Sequence, residues 1–172
     1  DEIADALDAG VARFNVESAD ELQLLQHIAS ERNAVASASA RLNPDVDALT
    51  HAKISTGKSE NKFGVSIDEA REWFAGSAAM THVRLDGLHV HIGSQMLSLD
   101  PIRAALQRVA DFWRELTSAG LAICSIDVGG GLGVRYRAGQ DHPVSINDYA
   151  DAIREALASF EGRILLEPGR WL

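Results

Sequence analysis

The sequence predicts an α/β fold of parallel strands joined by crossover helices. Three observations carry this expectation. Five short apolar segments of strand character alternate with helical ones. Helix-start signals stand in the gaps, such as Ser18-Ala19-Asp20-Glu21 and Ser66-Ile67-Asp68-Glu69. The residues able to do chemistry cluster where strands hand over to helices, the end of such folds where sites collect. Both an open doubly wound sheet and a (β/α)8 barrel fit. A whole barrel takes about 250 residues, so five strands in 172 residues would be rather more than half of one.

The elements follow in order. Residues 1–9 read as the second half of a helix, with Ile3, Ala4, Leu7 and Ala9 on one face and Gly10 as the cap. Arg13 to Val16 is a strand. The Ser18 capping box then opens a helix to about Arg32. Ala34 to Leu42 is the second strand. The polar stretch Asn43 to Asn61 is too long for a simple connector and reads as a functional loop. The Ser66 box starts a helix to about Ala75, and Leu85 to Ile92 is the third strand. Asp100-Pro101 pairs an N-cap with a first-turn proline, and that helix runs to Gly120. Ala122 to Val128 is the fourth strand, Ser145 to about Phe160 a helix, and Arg163 to Glu167 the fifth strand. A start in mid-helix and an end just past a strand predict a chain incomplete at both ends.

Composition narrows the function classes. Apolar residues make up 46% and charged residues 24%, a globular balance. No apolar run approaches the ~20 residues of a membrane helix. The acidic start Asp1-Glu2-Ile3-Ala4-Asp5 is no secretory signal. A formal charge of −9 with no basic face argues against nucleic acid. The single cysteine, Cys124, cannot form an internal disulfide; it suits a cytoplasmic location and reads as a core residue.

Three motifs carry the chemistry. In Leu88-His89-Val90-His91-Ile92-Gly93-Ser94-Gln95, strand alternation puts His89 and His91 on one face, away from the helices. His89 reads equally as a hydrogen-bonded core residue. A His-x-His metal pair is a rival, for which Asp127 and Glu167 are the only other ligands at strand ends; the expectation is no metal. In Asp127-Val128-Gly129-Gly130-Gly131-Leu132-Gly133, three glycines after a buried strand let backbone N–H groups converge on a phosphate. A tight turn is the plainer alternative, but three in a row exceed what a turn needs, which favours phosphate. Val134 stands where a dinucleotide fingerprint needs its third glycine, and no Gly-Lys-Ser/Thr is present. In Leu165-Leu166-Glu167-Pro168-Gly169-Arg170, an acid and a base lie three residues apart at a strand end. They either pair with each other or bind a ligand that has both a basic nitrogen and an anionic group.

Taken in order, these motifs resemble the fold-type III pyridoxal-phosphate decarboxylases. Arg41-Leu42-Asn43-Pro44-Asp45-Val46-Asp47, Thr50-His51, Ile54-Ser55-Thr56-Gly57 and Asn61-Lys62-Phe63-Gly64 are similar to the diaminopimelate decarboxylase branch. The resemblance spans nearly the whole chain. It implies a partial (β/α)8 TIM barrel of the alanine racemase-like type. Residues 1–172 would be part of the pyridoxal-phosphate-binding barrel domain, without the family's C-terminal β-domain.

For the site, the resemblance implies pyridoxal 5'-phosphate as cofactor. His91 would stack on its ring, and Ser94 and Gly129, Gly130 and Gly131 would hold its phosphate. Glu167 would meet the pyridine nitrogen, with Pro168 and Gly169 in the same turn. Arg170 would serve both the phosphate and the substrate carboxylate. Arg41, Lys62 and His89 would lie nearby. A carboxylate at the ring nitrogen favours the protonated ring, a better electron sink. The implied reaction of the intact enzyme, a homodimer, takes meso-2,6-diaminopimelate to L-lysine and CO2. An ornithine or carboxynorspermidine decarboxylase and a non-catalytic pyridoxal-phosphate-binding protein are the alternatives. No catalytic residue falls in this chain. Lys53, Lys58 and Lys62 are its only lysines, none matches the family's Schiff-base lysine, and Cys124 is not the family's catalytic cysteine. The chain alone is therefore expected to be inactive.

Overall fold

The computed structural model describes residues 2–46 and 63–172. The stretch from Asp47 to Lys62 lies outside the described residues, and with it most of the expected functional loop and all three lysines.

Five strands form one sheet in sequential order: β1 Phe14–Val16, β2 Ala36–Leu42, β3 Val83–Val90, β4 Ser125–Asp127 and β5 Arg163–Leu165. All four pairings are parallel, as the strand–helix alternation predicts. The C-terminal ends of the strands therefore share one rim.

Among the described residues five α-helices accompany them: α1 Glu2–Asp8, α2 Ala19–Glu31, α3 Ile67–Gly76, α4 Asp100–Ser118 and α5 Ile146–Ala156. Three begin at a serine cap. The Ser18, Ser66 and Ser145 hydroxyls accept the N–H groups of Glu21, Glu69 and Asp148. The Glu21 carboxylate returns to the N–H of Glu17, one residue before the cap, at 2.7 Å. The start of α4 differs from expectation. Asp100 lies inside the helix, and the Ser98 hydroxyl receives its N–H instead.

The core lies between helices and sheet. On α4, Ile102, Ala105, Leu106, Val109, Phe112, Trp113 and Leu116 recur at helical spacing and are buried. They meet the outward residues of the sheet, among them Ala38, Ala40, Leu42, Leu85, Leu88 and Val90. Each large apolar side chain buried here contributes roughly 1.5–3 kcal/mol. Aromatic pairs lock the helices. Phe74 meets Phe112 edge-on at 6.1 Å, and Trp113 meets Phe160 at 5.2 Å.

The opposite face of the sheet is polar. One row runs Asn15, Ser39, Gly87, Ser125 and Arg163; the next, nearer the rim, runs Arg41, His89, Asp127 and Leu165. Below them the Arg13 guanidinium joins Asp86 at 2.8 Å. Between Ala38 and Ser39 the register of β2 against β3 slips by one, so Asp86 is an extra residue in β3. A Cβ on Gly87 would stand on the Ser39 hydroxyl and the Arg13 guanidinium, which is why that row has glycine in β3.

Several strands are shorter than expected. Arg13, Ala34, Ala122 and Glu167 fall outside them. Cys124 is exposed rather than a core residue. It precedes β4, where its N–H and carbonyl bond Asp86 and Arg163 while its side chain meets solvent. Among the described residues no helix is long and apolar enough to cross a membrane.

Candidate active site

The rim of the sheet at β3, β4 and β5 is built from three successive turns, and the glycine run holds them together. The Gly129 N–H is held by the Asp127 carboxylate at 2.9 Å, and the Gly130 N–H by Nδ1 of His91 at 3.2 Å. The Gly129 carbonyl accepts the Glu167 N–H, and the Gly131 carbonyl accepts the Met96 N–H. Side chains have no room at these positions. A Cβ on Gly129 would stand on the Val90 carbonyl, one on Gly130 on that of Glu167, and one on Gly131 on that of Gly93. Gly129 and Gly131 also have positive φ, +67° and +96°. Each glycine thus has a packing reason, and two of the three N–H groups are taken by the protein itself. Among the described residues the Gly131 N–H has no acceptor.

The β3 turn is braced separately. Gln95 holds positive φ at 60°. Its side-chain amide donates to the Val134 carbonyl at 2.6 Å and accepts the Val134 N–H at 3.2 Å. This clasp fixes Ser94 relative to the glycine run.

Together the turns enclose a cleft of about 200 Å³ lined by His91, Ser94, Gly131, Glu167, Pro168, Gly169 and Arg170. These are residues that sequence reasoning singled out. Leu132 and Trp171 line it too and were missed, because an apolar residue after a glycine run or past a strand looks like ordinary core. Gly129 and Gly130 lie behind the cleft wall, buried.

Behind the cleft, the His89, Asp127 and Glu167 side chains come together with ligand-capable atoms within 4.8 Å of one another. His89 is 4% exposed, yet among the described residues neither ring nitrogen has a hydrogen-bond partner. It is therefore not the hydrogen-bonded core histidine that was one reading of the sequence. Burial holds its pKa below the usual histidine value, against the opposing pull of Asp127 and Glu167. Its Nε2 stands 3.7 Å from the Glu167 carboxylate. His91 is not part of this group; its Nδ1 accepts the Gly130 N–H instead.

Glu167 and Arg170 form no ion pair with each other among the described residues. Arg41, beside His89 in the sheet, pairs with Glu17 and lies under the Phe63 ring at 5.3 Å. Its Nε is buried without a partner among the described residues. Lys62 lies outside the described residues.

The cleft thus offers an imidazole face, a hydroxyl, a free backbone N–H, a guanidinium and a carboxylate. A flat nitrogen heterocycle bearing an anionic group fits that donor set: the cations and neutral donors suit the anion, and the carboxylate suits a protonated ring nitrogen.

Comparison with known proteins agrees. Over residues 1–172 the chain matches the family described as pyridoxal-dependent decarboxylase, pyridoxal binding domain. It is 46% identical over 170 residues to the diaminopimelate decarboxylase of Pseudomonas aeruginosa, covering 99% of this chain and 40% of that protein. A Helicobacter pylori diaminopimelate decarboxylase solved with L-lysine superposes with a TM-score of 0.90 at 41% identity, over 98% of this chain and 42% of that one. A Vibrio vulnificus lysine/ornithine decarboxylase solved with putrescine gives 0.75 at 26%, over 98% of this chain and 41% of that one. The chain therefore spans about 40% of the length of the curated relatives it matches. The parallel β/α units, the glycine-braced rim and these matches agree: the chain belongs to the pyridoxal-dependent decarboxylases and corresponds to their pyridoxal binding domain.

Proposed function

We propose that this chain supplies the cofactor cleft of a pyridoxal-phosphate-dependent carboxy-lyase that converts meso-2,6-diaminopimelate to L-lysine and CO2. The observation that carries the reading is the cleft itself, where His91, Ser94, Gly131, Glu167 and Arg170 converge from three successive turns. The relatives support the substrate: those at 39–46% identity bear the diaminopimelate decarboxylase name, and the lysine/ornithine decarboxylase structure is at 26%.

When bound, pyridoxal phosphate supplies an electron-withdrawing ring that takes up the electron pair released as CO2 departs. The residues of this chain divide the remaining work. Ser94, the Gly131 N–H and Arg170 would hold the phosphate, and Gly129 and Gly130 hold that turn in place. His91 would lie against the ring, its orientation set by Gly130. Glu167 would meet the ring nitrogen and favour its protonated form, with Pro168 and Gly169 shaping the turn that carries it. Arg170 would also steer the substrate carboxylate. Arg41, tied to Glu17, supports the sheet beside His89. The functional unit in this reading is a cytoplasmic homodimer whose Schiff-base lysine, partner cysteine and β-domain are not among residues 1–172.

The test loads the intact enzyme that contains this chain with pyridoxal phosphate and supplies meso-diaminopimelate or ornithine. Equal amounts of CO2 and lysine from the first, with little release from the second, are expected. A preference for ornithine would move the chain to the other branch. A polypeptide of these 172 residues alone is expected to release no CO2 above background.

A further inference from the structure

We propose that His89 is a positioning residue for Glu167: its Nε2 hydrogen is donated to that carboxylate, which fixes one oxygen and leaves the other for a ring nitrogen. The inference rests on the reading of the cleft as a pyridoxal-phosphate site.

The argument begins with a cost. A buried polar group without a partner is unfavourable by about 1–3 kcal/mol, and both ring nitrogens of His89 are in that state at 4% exposure. An apolar side chain would suit a merely structural position better. The groups around the ring define its use. From β4, Asp127 is its direct neighbour in the sheet, but one Asp127 oxygen is committed to the Gly129 N–H. From β2, Arg41 is its neighbour on the other side and is paired with Glu17. From its own strand, His91 is engaged by Gly130. Among the described residues Glu167 is the carboxylate within 4.0 Å of a His89 ring nitrogen, 3.7 Å from Nε2 and about half an ångström beyond hydrogen-bond range. The Glu167 side chain is 46% exposed, so a small rotation closes the gap. In turn, His89 is the only group of basic character within 4.0 Å of the Glu167 carboxylate among the described residues.

The protonation state suits the role. Burial, with Arg41 and His91 assisting, favours neutral imidazole over the opposing pull of Asp127 and Glu167. A neutral imidazole orients the carboxylate without neutralising it. An imidazolium would form an ion pair with Glu167 and weaken its hold on a protonated ring nitrogen.

Two measurements test this on the protein loaded with pyridoxal phosphate. The first is the 15N spectrum of the histidines at pH 7, with His89 assigned by its loss in His89→Gln. A neutral ring with hydrogen on Nε2 is expected; an imidazolium, or hydrogen on Nδ1 alone, overturns the proposal. The second uses ring-15N-labelled cofactor to follow protonation of the pyridine nitrogen with pH. In His89→Leu that nitrogen should lose its proton about one pH unit or more lower than in the unsubstituted protein. His89→Gln, which keeps an N–H donor at similar reach, should restore most of the shift. Equal titration in all three overturns the role of His89 and leaves the cofactor reading standing. Should His89→Leu not fold, the histidine spectrum decides alone. If the unsubstituted protein takes up no cofactor, or the cofactor-free protein binds zinc tightly through His89, Asp127 and Glu167, the underlying reading fails as well.

Discussion

Nδ1 of His91 accepts the backbone N–H of Gly130 at 3.2 Å. The imidazole that makes this bond carries its hydrogen on Nε2, and the ring is tied to the turn behind the cleft. His91→Phe keeps a flat face but leaves the Gly130 N–H without an acceptor. The expected result is a loss of about 1–3 kcal/mol in stability, read from denaturant midpoints, together with weaker pyridoxal phosphate binding.

Gly131→Ala should be more damaging than its size suggests. The new methyl would stand on the Gly93 carbonyl, and φ is +96°. The turn must open, at a cost of about 2–4 kcal/mol. Gly139→Ala is the control, since that glycine also has positive φ, +77°, but open space where a Cβ would go. Thermal melts should rank Gly131→Ala well below Gly139→Ala.

Glu167→Gln should separate binding from turnover. The amide keeps the shape of the side chain but not the charge that favours a protonated ring nitrogen. Decarboxylation by the loaded enzyme is expected to fall at least tenfold while the cofactor dissociation constant changes only a few-fold. An equal loss in both would show that Glu167 anchors the cofactor rather than tuning it.

His89 gives stability a pH dependence of known sign. Its folded pKa lies below the ordinary value near 6.5 because the ring is buried. The unfolded chain therefore takes up a proton that the folded protein refuses as pH falls below about 6.5. Its contribution is fully present above that pH and declines toward acid. His89→Gln removes the component. The stability difference between the two proteins should be flat above about pH 7 and turn against the histidine form below about pH 6, measured by urea unfolding across that range.

The fold was legible because its signals are local. Serines at 18, 66 and 145 marked where three helices begin, and Asp100-Pro101 marked the start of α4 to within a residue. The glycine run stood out by its length, although each of its glycines also has a packing reason here, and Glu167 and Arg170 stood out as charges at the end of an apolar strand. The rest depended on distance in space. That His89 would meet Glu167, and that Arg41 would be taken by Glu17, follows from strand register, which sequence spacing does not encode. The exposure of Cys124 was missed for a related reason. The strand begins only at Ser125, so the apolar run before it does not lie in the sheet.

The extra residue at Asp86 decides more than local shape. In a strand, side-chain direction is a matter of odd and even positions. Counting regularly from Val83, which faces the helices, His89 would face them too, and Val90 would point inward. The slipped register reverses the parity of everything after it, giving β3 a structural lower half and a chemical upper half out of phase with each other. Deleting one residue at 86–87 would leave the His-x-His-Ile-Gly-Ser motif intact as text, yet turn both histidines toward α4. The motif has meaning only in the reading frame that the bulge sets.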